Sequence, residues 1–296
     1  MTEPVHHSGL VTIIGAPNVG KSTFLNRVLG QKIAITSDKP QTTRNRILGI
    51  WSTAEFQVIF YDTPGVHQAR SLLNKRLVRT ALSALSDADL ILYMIELNSR
   101  EADNQLILKA LEKQDIPVIL VINKVDKANK LELLPAIDRY HREMDLAAIV
   151  PISALTGENV AGLTDEIVSM LPEGPQYYPP DMVTDQPERF IAAEMVREQI
   201  FAQTRQELPY STVVTVEEFD EEREDLIRIR AVIHLERNSQ KGIIIGKKGA
   251  MLKKIGTAAR ADIERLIGAR VFLELFVKVE KDWSRNSRSL SRFGYG

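Results

Sequence analysis

The stretch that most limits what this chain can fold into runs from Gly15 to Ser22, "GAPNVGKS". It has the spacing G-x-x-x-x-G-K-[ST] and stands between an apolar run, "LVTIIG", and a segment of helical character, "STFLNRVLG". Strand, loop and helix in that order make a cradle whose backbone N–H groups encircle a phosphate, with the positive end of the helix behind them. Lys21 then reaches the β- and γ-phosphate oxygens of a nucleoside triphosphate, and the Ser22 hydroxyl becomes a ligand for Mg²⁺. The expected contact residues are Gly15, Ala16, Pro17, Asn18, Val19, Gly20, Lys21, Ser22 and Thr23. Such a loop belongs at the carboxyl end of a strand in an open α/β sheet.

The region from 10 to 171 agrees with that requirement. Strand-like runs recur at 10–15, 46–51, 56–61, 90–97, 117–122 and 148–153, and most are apolar almost throughout, as strands covered on both faces must be. Segments of helical period lie between most of them, for instance 104–114 and 159–171. The alternation predicts a doubly wound, mostly parallel α/β sheet over residues 1–172.

Base identity is written further along. "VILVINKVD" places Asn123, Lys124, Val125 and Asp126 just past an apolar strand. A carboxylate there accepts from both N1 and N2 of guanine, whereas adenine has no N2 and no donor at N1. Lys124 can lay its stem across the base, and Asn123 can tie the segment to the phosphate loop. In "PISALTG", Ser153 and Ala154 follow the last strand, and the Ala154 N–H is the expected donor to guanine O6. "VIFYDTPG" brings Asp62, Thr63, Pro64 and Gly65: Asp62 to hold Mg²⁺ through a water, the Gly65 N–H to touch the γ-phosphate. In the polar stretch 36–46, "TSDKPQTTRNR", Thr42 and Thr43 are both candidates to complete the Mg²⁺ shell only while γ-phosphate is present, and Thr43 is preferred. The four motifs in this order describe a GTP-binding domain that alternates between GTP and GDP.

The residue after D-T-P-G is Val66, which cannot orient a water by hydrogen bonding. Lys21, Thr43, Gly65 and Asn18 are therefore the catalytic candidates, and slow turnover is expected. The Asn18 side-chain oxygen can help hold a monovalent cation beside the phosphates, where positive charge stabilises the transition state.

At 173–187 the chain reads "EGPQYYPPDMVTDQP", too rich in proline for helix or central strand, and a linker is expected. Beyond it the pattern becomes αββααβ over 188–284, a smaller α+β domain, followed by a basic, mobile tail at 285–296. Two of its helical stretches flank "IIIGKKGAMLKKI". Its glycines are only three apart and no G-K-[ST] follows, so it is not a second nucleotide loop. A helix ending at Gly246, a tight turn and a helix starting after Gly249 suit close approach to a sugar–phosphate backbone. Lys247 and Lys248 sit at the tip, with Lys241 and Lys253 beside it, while Ile243, Ile244, Ile245, Leu252 and Ile255 are expected in the core. Charge supports an anionic partner. The formal net charge is −1, yet residues 228–292 carry 16 Lys and Arg against 6 Asp and Glu, and 217–225 carry 7 acids.

The chain has no cysteine, hence no disulfide framework and no thiolate metal site or nucleophile. Its first ten residues lack a secretory leader and its apolar runs are too short to span a bilayer, so a cytoplasmic monomer is expected, with peripheral contact at the inner face of the cell membrane as the most the basic region allows.

"IIGKKGAMLKKI" is similar to the G-x-x-G signature of KH domains, which clamp about four nucleotides of single strand, and the αββααβ order resembles their type II variant. Over essentially its whole length the chain resembles the Era-like family of P-loop GTPases, with "GAPNVGKST", "KPQTTR", "DTPG", "NKVD", "SA" and "GKKG" in the family's order and no glutamine at position 66. The resemblance implies a GTPase that binds small-subunit ribosomal RNA near its 3′ end and acts in assembly of the small ribosomal subunit, and it adds K⁺ as the cation for Asn18. Two alternatives stay open: a KH-like domain that binds protein, and a GTPase accessory to an RNA-modifying complex.

Overall fold

The computed structural model describes residues 6–69, 71–97, 101–205, 207–223 and 225–295. The chain divides into two compact units. Unit 1 comprises residues up to 34, 43–70 and 77–185; unit 2 comprises 35–42, 71–76 and 186 onward.

Unit 1 is built on β1 (His7–Gly15), β2 (Ile47–Ser52), β3 (Phe56–Asp62), β4 (Leu90–Ile95), β5 (Val118–Ile122) and β6 (Ala148–Pro151). The sheet order is β2-β3-β1-β4-β5-β6, parallel except for the β2–β3 pair. Because side chains alternate along a strand, a strand covered on both faces must be apolar at every position. In β4, Leu90, Leu92 and Met94 join one core while Ile91, Tyr93 and Ile95 join the other. The first core includes Phe24 and Leu25 of α1 (Lys21–Leu29) and Leu163 and Ile167 of α5 (Val160–Met170). The second includes Ala81 of α2 (Leu72–Ser83), Ile107 and Leu111 of α3 (Glu101–Leu111), and Tyr140 of α4 (Lys130–Glu143). This is the doubly wound arrangement expected. With β3 on one side of β1 and β4 on the other, strand order reverses at β1, where such sheets bind ligands.

The proline-rich stretch departs from the expected linker. As far as Asp185 it groups with unit 1. The buried Gln57 side chain accepts the Tyr177 and Tyr178 N–H groups at 2.8 and 2.9 Å. The Ile50 N–H donates to the Val183 carbonyl at 2.8 Å, and the Thr184 hydroxyl to the Leu48 carbonyl at 2.6 Å. Prolines bar this segment from regular structure, but they leave it free to cover the outer edge of β2, a strand that would otherwise present unpaired backbone.

Unit 2 follows the αββααβ order: α6 (Glu188–Gln203), β7 (Thr212–Asp220), β8 (Leu226–Leu235), α7 (Asn238–Ile245), α8 (Ala250–Ile267) and β9 (Arg270–Val279). Its sheet runs β7-β8-β9, with β7–β8 antiparallel and β8–β9 parallel. Ile191, Met195 and Val196 of α6 and Ile255, Ala259 and Ile263 of α8 pack on Ile227, Ile229, Ala231 and Ile233. The tail expected to be mobile is instead packed. A 3₁₀ turn at Trp283–Arg285 leads into α9 (Ser287–Arg292), and Trp283, Leu290 and Tyr295 are buried. The Trp283 Nε1–H donates to the Ser211 carbonyl at 3.0 Å, and Phe293 and Tyr295 lie against the indole. Aromatic burial supplies what the Ser/Arg bias hid. Trp283→Ala should cost about 3–5 kcal/mol, read as a lower urea midpoint for loss of unit 2 structure; an unchanged midpoint would mean that the tail is not part of this core.

Candidate functional site

The phosphate loop leaves β1 at its carboxyl end and enters α1 at Lys21. Gly20 has φ 104°, and a Cβ there would come within 2.1 Å of Asn123 Nδ2, so only glycine fits. The Asn123 side chain performs the tie expected of it: Nδ2 donates to the Val19 carbonyl at 2.7 Å. Its Oδ1 accepts the Ala154 N–H at 2.9 Å. The Ala154 N–H, expected to serve guanine O6, is thus held beside the Asn123 amide. One buried amide thus joins the phosphate loop to both base-side loops. The Asp126 carboxylate is exposed and fixed in direction by the Ser153 hydroxyl, which donates to Oδ1 at 2.7 Å. Lys124, in left-handed backbone at φ 65°, pairs with Glu96 at 2.7 Å. Val125 is buried, and its N–H donates to the Ile152 carbonyl at 3.2 Å.

Arg27 and Glu96 are partners that reading the sequence missed. Arg27 Nε donates to the Ala154 carbonyl at 2.6 Å and Nη2 donates to that of Leu155, steadying the loop after β6 from the last turn of α1. Nothing local in "FLNRVLG" distinguishes such an arginine from one facing solvent.

At the phosphate end, the buried Lys21 ammonium donates to the Gly15 and Ala16 carbonyls at 3.2 and 3.0 Å. The Ser22 hydroxyl donates to Asp62 Oδ2 at 2.5 Å and lies 2.9 Å from the Thr43 hydroxyl. Thr42 is turned elsewhere, its hydroxyl donating to the Lys39 carbonyl at 2.7 Å. The three residues expected at the metal are therefore together. Asp62 Oδ1 is buried with no hydrogen-bond partner. An orphaned carboxylate oxygen beside two hydroxyls is a hard-oxygen donor set that fits Mg²⁺. Thr63 faces away from it, its hydroxyl donating to the Ile13 carbonyl at 2.7 Å. Pro64 and Gly65 continue the loop, and the Val66 N–H donates to the Gly15 carbonyl at 3.1 Å while its side chain is buried in the core with Ile14 and Tyr93. Asn18 adopts left-handed backbone at φ 66° in the loop.

In unit 2 the second loop has the geometry anticipated. Gly246 ends α7 at φ 69°, where a Cβ would meet Met251 Cβ at 2.8 Å. A short 3₁₀ turn carries Lys248 in left-handed backbone at φ 52°, and α8 starts after Gly249. Lys241, Lys247, Lys248 and Lys253 are all exposed. The apolar residues divide. Ile244 and Ile255 are buried, Ile245 and Leu252 are partly buried, and Ile243 is 55% exposed, which corrects its expected place in the core. A helix of eight residues can turn only one side to its sheet, and Ile244 occupies that side.

Comparison with known proteins gives a consistent result. A family model described as 50S ribosome-binding GTPase matches residues 10–124, and one described as KH domain matches 207–284. The chain is similar to the GTPase Era of Geotalea daltonii, 53% identical over 296 residues with all of each chain covered. It is also similar to that of Geobacter metallireducens, 55% identical over 298 residues with the same coverage. Among solved structures it is similar to Era in complex with MgGDPNP and nucleotides 1506–1542 of 16S ribosomal RNA, at TM-score 0.94 and 42% identity, covering 98% of this chain and 99% of that one. An Aquifex aeolicus Era variant bound to GDP·AlF₄⁻ matches with the same figures.

Burial raises the Asp62 carboxyl to about 6, opposed by the Lys21 charge and the Ser22 hydrogen bond. Burial likewise lowers the Lys21 ammonium to about 8, opposed by Asp62. A carboxyl raised above its unfolded value makes the native state bind the proton more tightly, so in metal-free protein this group favours the fold below about pH 6, and that contribution is lost as pH rises through 6. Metal binding has the opposite sign, since Mg²⁺ needs the carboxylate. Mg²⁺ affinity in the presence of a GTP analogue should therefore fall about tenfold per pH unit below the Asp62 value. Titration of Mg²⁺ across pH 5–8 checks this, and Asp62→Asn should make the slope shallower, leaving the part due to the terminal phosphate of the nucleotide.

Proposed function

This chain belongs to the Era family of GTPases, and we propose that it works as a guanine-nucleotide switch whose second unit binds single-stranded RNA, the 3′ region of small-subunit ribosomal RNA, during assembly of the small ribosomal subunit. The observation that supports this reading is the presence, on one chain, of two glycine–lysine loops of different construction. In one, a buried lysine stands with a hydroxyl–carboxylate cluster. In the other, exposed lysines ring a tight G-x-x-G turn. A relative solved with a 16S ribosomal RNA fragment, matched along 98% of this chain, supports the choice of RNA.

The enzyme hydrolyses GTP to GDP and phosphate. Water attacks the γ-phosphorus, the bond to the β–γ bridging oxygen breaks, and the developing charge spreads over the equatorial oxygens. In our reading, Asp126, steered by Ser153, accepts from guanine N1 and N2 and leaves adenine without equivalent contacts. Lys21, held among the loop carbonyls, neutralises the β- and γ-oxygens. The Gly65 N–H and the Thr43 backbone face the γ-phosphate. Mg²⁺ held by the Ser22 and Thr43 hydroxyls and, through a water, by Asp62 would supply, when bound, further positive charge to those oxygens. Val66 orients no water, so turnover is slow, and K⁺ beside Asn18 adds the missing charge. Rates in KCl and NaCl of equal strength test that point: equal rates remove Asn18 from the catalytic set. The reading uses one copy of the chain and places the RNA contacts, not a membrane, at the basic surface; among the described residues no helix is long and apolar enough to cross a bilayer.

The RNA assignment is tested by affinity for a small-subunit 3′ sequence with the protein carrying a GTP analogue, GDP or no nucleotide. Lys247→Ala with Lys248→Ala should weaken binding and lower the slope of log K against log salt by about 1.4, two phosphate contacts to a single strand. An unchanged slope would favour a protein partner. Asp126→Asn should weaken GTP about tenfold to a hundredfold by removing charged hydrogen bonds, with no matching loss for xanthosine triphosphate, in nucleotide titrations.

A further inference from the structure

Helix α6 turns one side to its own sheet and the other to residues 35–42, which group with unit 2 although they come from far earlier in the chain. Three side chains hold that segment. The Glu198 carboxylate accepts the Thr36 N–H at 2.9 Å and the Thr36 hydroxyl at 3.4 Å. The Lys39 ammonium donates to the Phe201 carbonyl and, at 2.5 Å, to the Thr204 carbonyl. Those carbonyls end α6, where unpaired acceptors and the negative end of the dipole favour a cation. The Arg197 guanidinium, 0% exposed, donates to the Thr42 carbonyl and pairs with Glu194, Nε to Oε1 at 2.7 Å. Glu194 and Glu198 are themselves buried. A buried guanidinium with buried carboxylates often stabilises a fold no better than apolar residues of the same volume. Such a cluster therefore points to a task beyond holding the helix in place.

The task is indicated by the next residue. Thr43 follows Thr42, and its hydroxyl lies 2.9 Å from Ser22 Oγ. One peptide bond separates the carbonyl gripped by Arg197 from the hydroxyl assigned above to the metal. We propose that Arg197, Glu198 and Lys39 are positioning residues for Thr43: α6 fixes the course of residues 36–42 and thereby presents the Thr43 hydroxyl to the metal. The proposal rests on the nucleotide reading of the site. Because such a threonine joins the metal shell only with γ-phosphate present, the grip acts on the GTP state and leaves GDP binding untouched. Linkage makes it reciprocal, so a ligand on the unit containing α6 that alters the grip alters GTP affinity by the same factor.

The test uses the full chain with Mg²⁺ and compares affinities for a non-hydrolysable GTP analogue and for GDP by fluorescent-nucleotide titration. The variants are Lys39→Met, Glu198→Ala and the double Arg197→Met with Glu194→Met, which removes both charges and keeps volume. Each should lower the ratio of GTP-analogue to GDP affinity by about fivefold or more, the lower end of ordinary coupling, with GDP affinity unchanged and kcat reduced. Lys39→Met removes no core side chain, so it carries the test if the double variant fails to fold. An unchanged ratio in Lys39→Met and Glu198→Ala overturns the proposal. So does an equal loss of both nucleotides, the mark of a structural role alone. Failure of the unsubstituted protein to bind either nucleotide would instead defeat the underlying reading, and it would be seen before any substitution is made.

Discussion

Everything at the carboxyl end of the first sheet follows from burying two opposite charges there. Lys21 is 5% exposed and Asp62 0%, and a charge withdrawn from water is tolerated only when paired and hydrogen-bonded. The structure meets that demand in part. Two loop carbonyls take the ammonium and the Ser22 hydroxyl takes one carboxylate oxygen, but the other stays orphaned. Partial satisfaction is what a binding site requires, because a site that satisfied itself fully would gain nothing from its ligand. Burial then shifts both groups toward neutrality, and the cation and phosphates that belong between them restore the charged forms.

The same demand explains why the base-side loops are tied so tightly to the phosphate loop. The Asn123 amide uses both ends, one on Val19 and one on Ala154, so recognition of the base and support of the phosphates share a single buried side chain. Reading the residues found the first tie from the spacing of N-K-x-D relative to a strand. It placed the Ala154 N–H after a strand but not beside the Asn123 oxygen, because position after a strand says where a backbone group lies, not which side chain meets it. Arg27 shows the same limit, since its partners lie 127 and 128 residues away in sequence.

Period and composition carried the order of strands and helices in both units, because strands buried on both faces and helices with one apolar side leave local marks. They failed where packing is set from a distance. The proline-rich stretch carries the composition of a linker and yet covers an edge strand. The Ser/Arg-biased end carries the composition of a tail and yet buries Trp283, Leu290 and Tyr295. A few aromatic and aliphatic side chains outweigh their polar neighbours once they meet a common core, and composition averages that difference away. Glu194, Arg197 and Glu198 were hidden for the opposite reason: charges at these spacings read as a solvated helix face, and contacts with residues 35–42, far away in sequence, help to make them interior.

The two phosphate loops embody opposite electrostatic solutions. The first buries its lysine and relies on a shaped, low-dielectric setting in which each contact is strong and little screened by salt. In the proposed reading its selectivity rests on contacts that adenine cannot make. The second leaves its lysines in water around a backbone turn that only glycine can make at Gly246, so attraction is long-ranged, screened by salt and indifferent to sequence. Beside that turn the fold also leaves apolar surface, with Ile243 55% exposed at the end of α7. Its exposure looks like a packing fault if the helix is judged as core alone. Beside a loop proposed to hold a single strand of RNA, the same exposure leaves apolar surface next to the lysines.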